Sequence, residues 1–169
     1  MNIRPEVDTD FEGIAEINRL AFGSDSEAML VAALRDGGYA RLSLVAEVDG
    51  QIVGHIMFSR LPIGIDGGEI EALSLAPMAV LPAKQRQGVG SKLVREGMSI
   101  CAGQGFRIVV VLGHPDFYPR FGFSAELGEQ LASAYSGAGA AWMVAELAGG
   151  AMDGVTGRAE YPPPFSDLG

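Results

Sequence analysis

The chain has 169 residues, 48% of them hydrophobic and 20% charged, which is an ordinary composition for one globular domain. Acidic residues outnumber basic ones by 21 to 12, and the net charge of −9 argues against a general nucleic-acid binder, whose surface would be basic. A single cysteine excludes an internal disulfide and a cysteine-based metal cluster, and the lack of a signal-peptide pattern or of a ~20-residue apolar run predicts a cytoplasmic protein that contacts no membrane.

The first predicted elements are two short helices. Thr9–Glu12 and Ser24–Glu27 each fit the Ser/Thr-x-x-Glu capping box, in which two side chains close the start of a helix. Apolar residues at helical spacing follow both boxes, and Gly37-Gly38 is typical of a helix end. The sequence therefore predicts that both helices precede the sheet.

Three antiparallel strands are predicted next. Leu42–Val48 and Gln51–Leu61 are apolar runs joined by Asp49-Gly50, which is a strong hairpin signal. Glu69–Leu81 is the third strand and contains Pro77, which cannot donate a hydrogen bond to a ladder. Pro77 therefore predicts an edge, a bulge or a break within that strand.

A helix and a buried strand complete the predicted sheet. Gly88–Gly103 has an apolar helical face, and Phe106–Leu112 is almost entirely apolar, as a strand covered on both faces is. Strand, loop, helix and strand form a βαβ unit, so the strands before and after this helix are expected to be parallel. One such unit after an antiparallel meander predicts an α+β fold with a mixed, mostly antiparallel central sheet, because a doubly wound sheet would need several units.

The rest of the chain is expected to complete a single domain that spans residues 1–169, with a core of about residues 1–125. Residues 126–169 are interpreted as a C-terminal strand and tail segment, in which Ala140–Leu147 is the strand candidate. The tail contains the consecutive prolines Pro162–Pro164 and is expected to be extended on the surface.

One basic stretch surrounds the loop before the predicted helix. Its basic residues are Lys84, Arg86, Lys92, Arg95 and Arg107, and Glu96 alone opposes them. A local positive stretch in an acidic protein indicates a small anionic ligand, although a solvated helix face would carry the same charges. Gly88 and Gly90 allow a ligand to approach the backbone, and a helix N-terminus offers N–H groups to a diphosphate. On the glycines alone, a tight strand-to-helix turn is an equal alternative.

Two nucleotide-binding motifs are excluded at this loop. The order Gly90-Ser91-Lys92, with Ala83 upstream, is not that of a Walker A loop, which requires Gly-x-x-x-x-Gly-Lys-Ser/Thr. A dinucleotide fingerprint needs a third glycine where this chain has Leu93. What remains is the pattern Gln-x-x-Gly-x-Gly, formed by Gln85, Gly88 and Gly90.

This pattern resembles motif A of the GNAT (GCN5-related) N-acetyltransferases, which has the form Arg/Gln-x-x-Gly-x-Gly/Ala. Met78–Pro82 is similar to the strand-to-loop connection of that family, and Phe117–Phe123 is similar to the Tyr-x-x-x-Gly-Phe ending of its motif B. The resemblance covers about residues 1–125, and the stretches Gly113–Tyr118 and Gly154–Tyr161 extend it to the YhbS-type branch of the family.

The resemblance implies an enzyme that moves an acetyl group from acetyl-CoA directly to a primary amine and that needs no metal. The family splays its two parallel strands and places the cofactor between them, and Pro77 is consistent with such a parting. The backbone of Met78, Ala79 and Val80 would then bind the pantetheine arm, and one of these N–H groups would polarise the thioester carbonyl. The loop residues that would bind the diphosphate are Gln85, Arg86, Gln87, Gly88, Val89, Gly90 and Ser91.

Two residues are predicted to move the protons of the reaction. Tyr118 matches the tyrosine that serves the family as general acid, and a hydroxyl with a pKa of ~10 can protonate a leaving thiol of pKa ~8.5. The alternative is a tyrosine that only packs in its loop. Glu69 and Glu71 lie two residues apart on one face of the predicted strand, and Glu71, nearer the expected bulge, is preferred as the base. A solvent-facing pair at a sheet edge is the alternative.

The remaining reactive side chains receive structural interpretations. Cys101 lies on the apolar helix face and is expected to be buried and inert, His55 is expected in the core, and His114 is expected in a turn. The partner would be a small-molecule or peptide amine, and the oligomeric state stays open, a homodimer included. The competing hypothesis is a non-catalytic acyl-CoA-binding or sensing module on the same fold.

Overall fold

A computed structural model describes residues 1–168 of the chain. The chain divides into two compact units. The first contains residues 1–59, 76–99 and the segment that begins at residue 163, and the second contains residues 60–75 and 100–162. Because the division falls within two strands and within one helix, these three elements contribute residues to both units.

The first unit holds two helices and an antiparallel meander. Its elements are β1 (Asn2–Pro5), α1 (Phe11–Phe22), α2 (Ser26–Asp36), β2 (Ala40–Val48) and β3 (Gln51–Arg60). β1 was not expected from the sequence, and it pairs antiparallel with β2. β2 and β3 form the predicted hairpin, whose turn residues Asp49 and Gly50 have positive φ angles of 50° and 77°. Two positive φ angles define the type I′ turn that an Asp-Gly pair favours.

Both helices begin close to the predicted residues, but neither forms its predicted capping box. The carboxylate of Asp10, which precedes α1, accepts hydrogen bonds from Arg4 at 2.7 Å and from the Val7 N–H at 2.8 Å. Asp25 precedes α2, makes no side-chain cap and pairs with Arg19 at 2.9 Å. The capping predictions were therefore wrong, because the helices begin at Phe11 and Ser26, so Asp10 and Asp25 stand at the cap positions in place of Thr9 and Ser24.

The third helix, α3 (Val89–Gly103), confirms the predicted helix and packs closely on β3. A Cβ atom placed on Gly97 would collide with the ring of Phe58, and one placed on Gly54 would lie about 3 Å from α3 side chains. Small residues at these two positions therefore allow the helix to approach the strand. No helix within residues 1–168 is both long and apolar enough to cross a membrane.

The second unit contains most of the short strands. The remaining elements are β4 (Ile63–Ile65), β5 (Gly68–Ile70), β6 (Leu73–Val80), β7 (Ile108–Leu112), α4 (Ala125–Gly128), β8 (Leu131–Ala132), β9 (Trp142–Glu146) and β10 (Gly157–Ala159). The single strand predicted over Glu69–Leu81 is in fact two strands, β5 and β6. β5 turns back onto β4 through Asp66-Gly67, and the Ala72 carbonyl bonds to Leu61, so the pairing changes at Glu71.

Six strands form the main sheet in the order β1-β2-β3-β6-β7-β9. β6 and β7 are parallel, with register from Leu73↔Val109 to Leu75↔Val111, as the predicted βαβ unit requires. β9 pairs antiparallel with β7 from Ile108↔Glu146 to Leu112↔Trp142. The sheet is therefore mixed and mostly antiparallel, and the predicted fold class is confirmed.

A second sheet, which the sequence did not indicate, has the order β5-β4-β10-β8. Its strands have only two or three residues each, too few for an alternating pattern to be visible. An apolar cluster in the same unit consists of Leu61, Ile63, Ala72, Ile108, Val110, Leu131, Trp142, Val144, Met152 and Ala159. This core uses residues from both ends of the second unit's sequence.

The C-terminal tail differs from its prediction as an extended surface segment. Pro163–Leu168 forms a 3-10 turn that packs against α2 within the first unit. Pro162 and Phe165 are both buried. The prolines suggested an extended chain, but burial of the Phe165 ring favours the compact turn.

Candidate active site

The candidate cofactor loop begins where β6 ends and finishes in the first turn of α3. A 3-10 turn at Pro82–Lys84 follows the strand. The side-chain amide of Gln85 donates to the Val80 carbonyl at 3.0 Å, and that of Gln87 donates to the Ala83 carbonyl at 3.2 Å. Both glutamines therefore hold the loop in its own shape.

Two left-handed residues give this loop its curvature. Arg86 has a φ of 64° and Gly88 a φ of 86°, whereas Gln87 between them has no positive φ. A Cβ on Gly88 would meet no atom within 4 Å, so glycine is needed here for its backbone conformation and leaves open space beside the chain. Alternating backbone handedness turns successive N–H groups toward one side, a geometry that binds anions.

The N-terminus of α3 adds further donors. The first helical hydrogen bond runs from the Lys92 N–H to the Gly88 carbonyl at 3.1 Å. The N–H groups of Val89, Gly90 and Ser91 precede it and have no acceptor within the helix. They lie at the positive end of a helix dipole that 15 residues generate.

Three cationic residues belong to the segment that contains these donors, from the 3-10 turn to the first turn of α3. Lys84, Arg86 and Lys92 form no ion pair with any of residues 1–168. Elsewhere in the chain, Arg4 and Arg35 are paired with carboxylates at 2.7–2.8 Å. Unpaired cations beside a helix N-terminus and a glycine loop form a site that fits the diphosphate of coenzyme A.

The strand before the loop has backbone groups suited to an extended ligand. The register of β6 with β7 ends at the Leu75–Val111 pair, but β6 continues to Val80. On its other side β6 neighbours β3, and the Leu81 N–H donates to the Val53 carbonyl at 2.8 Å. Residues 76–80 therefore present one edge that lies outside the β7 register, where an amide chain could bond as a strand does.

Tyr118 belongs to the second unit, in a 3-10 turn over Tyr118–Phe121. Its side chain is only 7% exposed, and its ring packs edge-to-face with Phe117 at 5.0 Å and Phe123 at 5.6 Å. A Cβ on Gly113 would collide with the Tyr118 ring, so the absence of a side chain there makes room for the tyrosine. Aromatic neighbours and one glycine thus hold the ring in place.

Burial raises the pKa of Tyr118 to about 12. The hydroxyl has no hydrogen-bond partner among the residues that the structure describes. The phenol is therefore protonated throughout the physiological pH range and has a proton to donate. The same apolar surroundings would also raise the pKa of a thiol placed there. The pKa values of the Tyr118 phenol and of the leaving thiol would therefore stay close to each other.

The two candidate glutamates differ in their surroundings. Glu69 lies in β5 and pairs with Arg60 at 3.0 Å, whereas Glu71 is exposed, lies between β5 and β6 and forms no ion pair within residues 1–168. The expectation that both lie on one strand was wrong, because the strand breaks at Glu71.

The predicted site residues fall into two groups. Met78, Ala79, Val80 and the loop residues Gln85–Ser91 belong to the first unit, and Glu71 and Tyr118 belong to the second. Cys101 is fully buried, and its burial raises the pKa of the thiol to about 12, so it is not a nucleophile. Among residues 1–168, no three His, Cys, Asp or Glu side chains form a group that could hold a metal ion.

Sequence reasoning missed two features of these sites. Gly113 follows a buried strand directly, and only the structure reveals that the Tyr118 ring occupies the space beside it. Arg86 adopts a left-handed conformation that is rare for residues other than glycine, asparagine and aspartate, so its type gave no signal. Both features depend on the folded neighbours and not on a local pattern.

Comparison with known protein families identifies an acetyltransferase (GNAT) domain over residues 2–125. The N-acetyltransferase YhbS of Escherichia coli K12 is 39% identical over 167 residues, which cover 98% of this chain and 99% of YhbS. The N-acetyltransferase YjhQ of the same organism is 41% identical over 127 residues, or 72% of this chain and 68% of YjhQ.

Two crystal structures resemble the fold of the chain closely. That of E. coli YhbS in complex with CoA has a TM-score of 0.91 at 38% identity and covers 99% of this chain and 93% of its own. That of a GNAT family acetyltransferase from Brucella melitensis in complex with acetyl-CoA has a TM-score of 0.80 at 36% identity, with 97% of both chains covered.

Proposed function

The chain belongs to the GNAT family of N-acetyltransferases, and we propose that it passes the acetyl group of acetyl-CoA directly to a primary amine. It is an acetyl-CoA-dependent acyltransferase of this family. We propose which residues bind acetyl-CoA, which residues transfer protons, and which class of amine accepts the acetyl group. The single observation that carries the proposal is the loop before α3, where Lys84, Arg86 and Lys92 are unpaired around free N–H groups. YhbS and the Brucella enzyme were both crystallised with coenzyme A species.

The proposed cofactor site uses backbone more than side chains. The N–H groups from Gly88 to Ser91 bind the diphosphate, and Arg86 adds charge beside it. The pantetheine amides bond to the edge of Met78–Val80 that lies outside the β7 register. One N–H of this stretch donates to the thioester carbonyl and stabilises the oxyanion that forms during attack. Gln85 and Gln87 contribute by holding the loop shape.

The proposed chemistry exchanges one bond for another. The neutral amine attacks the thioester carbon, the C–N bond forms and the C–S bond breaks. Tyr118 donates its hydroxyl proton to the departing sulfur and regains a proton, through solvent, from the nitrogen, which is cationic once the C–N bond has formed. Before the attack, the resting ammonium group loses one proton to a base. Glu71, which is exposed, is the carboxylate proposed to receive that proton, directly or through water.

The acceptor is proposed to be cationic in its resting form. Residues 1–50 contain ten acidic and four basic residues, which attract an ammonium group more than a neutral ligand. A protein N-terminus, a lysine side chain, a polyamine and an aminoglycoside all satisfy this description. We also propose a cytoplasmic location and a single functional domain, and the strongly acidic composition gives no support to a nucleic-acid partner.

The test is release of free CoA thiol from acetyl-CoA in the presence of one member of each amine class. We expect amine-dependent release by the parent chain with at least one class, and less release by the Glu71→Gln variant. Tight acetyl-CoA binding with no release for any amine would contradict acetyl transfer and favour the sensing module. Release that Glu71→Gln does not change would remove Glu71 from the mechanism.

A further inference from the structure

A cavity of about 570 Å³ lies in the second unit, where α4, β8 and the start of β9 come together. Most of the residues that line it are glycine or alanine, and Glu129 supplies the one carboxylate among its described lining residues. Sites for small ligands have volumes of roughly 300–1,000 Å³ and largely apolar walls. The cavity therefore has the size and the lining of a small-molecule site.

The other polar side chains of the lining are used to shape the cavity. The indole Nε1 of Trp142 donates to the Gly128 carbonyl at 2.9 Å, and a Cβ atom on Gly128 would collide with the Trp142 backbone. The Ser136 hydroxyl donates to the Ser133 carbonyl at 3.0 Å and so closes its own turn. Glu129 is thus the lining side chain that is left to bind the polar group of a ligand.

The charge of Glu129 selects a cation. This residue is exposed, and its carboxylate forms no ion pair with any of residues 1–168. The stretch of sequence around it, residues 121–157, contains four acidic residues and no lysine or arginine. An anionic ligand would be repelled here, whereas an ammonium group would be attracted.

The cavity wall is hydrogen-bonded to the end of β7. Trp142 lies opposite Leu112 in the register of the two strands, and the Gly113 N–H donates to the Ala141 carbonyl at 3.0 Å. Gly113 is the residue beside which the Tyr118 ring packs. Paired strands lie ~4.8 Å apart, so the wall of the cavity adjoins the residue that makes room for the proposed acid. A ligand in the cavity is therefore close to the place where Tyr118 would meet the thioester.

The walls distinguish between the amines that satisfy the charge. Enclosed sugar hydroxyls and peptide amides need hydrogen-bond partners, and glycine and alanine walls have no polar side chains to offer them, whereas methylene groups need none. Leu112 is 45% exposed and shares a face of the sheet with Trp142, so apolar surface continues toward the end of β7. A methylene chain that ends in a second ammonium group matches both the walls and the carboxylate.

We propose that this cavity is the acceptor site and that the acceptor is an aliphatic diamine or polyamine. The ammonium group at the far end of the chain pairs with Glu129, and the methylene groups lie against the glycine and alanine walls. The near amine, once it has lost its proton, attacks the thioester. This inference rests on the proposed function, which places the departing sulfur at Tyr118.

The proposal is tested by calorimetric titration of the CoA-saturated chain with 1,4-diaminobutane and with n-butylamine at one ionic strength. The two amines have the same carbon chain and differ in the second ammonium group, so we expect the diamine to bind at least ~10-fold more tightly. In Glu129→Gln this ratio should fall to about two, the value that two equivalent amines give by statistics. Glu126→Gln is the matched control, because it removes a carboxylate of α4 that does not line the cavity, and it should keep the ratio. A ratio of about two in the parent chain, or one that Glu129→Gln leaves unchanged, would overturn the proposal.

A second variant tests the cavity itself. Ala132 is exposed and lines the cavity, so Ala132→Leu fills part of the space and keeps Glu129, and diamine affinity should fall ~10-fold. Ala134→Leu, at an exposed alanine outside the lining, is its control and should have no effect. A diamine affinity that Ala132→Leu does not change would overturn the proposal.

Thiol release separates this inference from the proposed function. Release from acetyl-CoA with amines but without any preference for diamines would overturn the inference and leave the proposed function in place. Diamine binding that depends on Glu129, with no thiol release for any amine, would overturn the proposed function and the acceptor role with it.

Discussion

At the scale of single residues, Tyr118 combines a buried ring with a hydroxyl that no described residue engages. Replacing it by phenylalanine keeps the packing against Phe117 and Phe123 and removes only the donor. If the proton reaches the sulfur in the transition state, kcat should fall ~10²–10⁴-fold. The affinity for acetyl-CoA should change less than about twofold, because a donor used only in the transition state does not bind the ground state. Thiol-release kinetics and a binding titration measure the two effects.

The pH dependence of the rate gives an independent check on Tyr118. A general acid must be protonated, so kcat declines only as the pH rises through its pKa. An ordinary tyrosine would begin to lose activity near pH 10, whereas burial moves the pKa of Tyr118 to about 12. We therefore expect no descending limb below pH 10. A descending limb near pH 8 would assign the acid role to another group.

At the scale of elements, the loop before α3 depends on Gly88. Valine at this position would have to adopt a φ of 86°, so the loop should change shape and acetyl-CoA affinity should fall at least ~100-fold. Gly67→Val is the matched control, because Gly67 also has a positive φ, 79°, and open space around it but lies in the β4–β5 turn. Calorimetric titration of both variants measures the difference. Comparable acetyl-CoA affinities in the two variants would mean that Gly88 is needed only to form a turn and not to bind the cofactor.

The elements also mark the limit of what the sequence could predict. Asp49, Gly50 and Gly88 have positive φ angles, which their residue types favour. The hairpin and the loop could therefore be predicted from the sequence. β1 has four residues and exists because β2 pairs with it, which no local pattern indicates. Glu69 and Glu71 have the spacing of one strand face, but pairing of β5 with β4 breaks that strand. The elements that the sequence did not predict therefore depend on pairing with strands that are distant in the sequence.

At the scale of the whole molecule, the first unit encloses a polar network around His55, which is fully buried. The Ser43 hydroxyl lies 2.9 Å from His55 Nε2 and donates to Glu6, and Glu6 is held by Arg35 at 2.8 Å. Because Ser43 uses its proton on Glu6, Nε2 carries the imidazole proton and Nδ1 accepts from the Asn18 amide at 3.4 Å. The bond from the Asn18 amide requires a neutral imidazole, because a protonated Nδ1 has no lone pair with which to accept it.

Stability should therefore fall as the pH drops from 6.5 to 4. Burial lowers the pKa of His55 from 6.5 to about 4, with Glu6 opposing and Arg35 reinforcing the shift. Between these values the unfolded chain binds a proton that the folded chain does not, which costs up to about 3 kcal/mol of unfolding free energy. Urea denaturation at half-unit pH steps measures the slope. His114→Ala removes the exposed histidine and should leave the slope intact, whereas a flat profile over this range would contradict a neutral buried His55.

The central claim is that this chain binds acetyl-CoA on the loop between β6 and α3. The most direct measurement is calorimetric titration of the parent chain with acetyl-CoA, ATP and NAD at one ionic strength. The account predicts micromolar binding of acetyl-CoA and much weaker binding of the two nucleotides, because the loop lacks the Walker A and dinucleotide patterns while β6 offers an edge to pantetheine. Binding of ATP or NAD without binding of acetyl-CoA would contradict it.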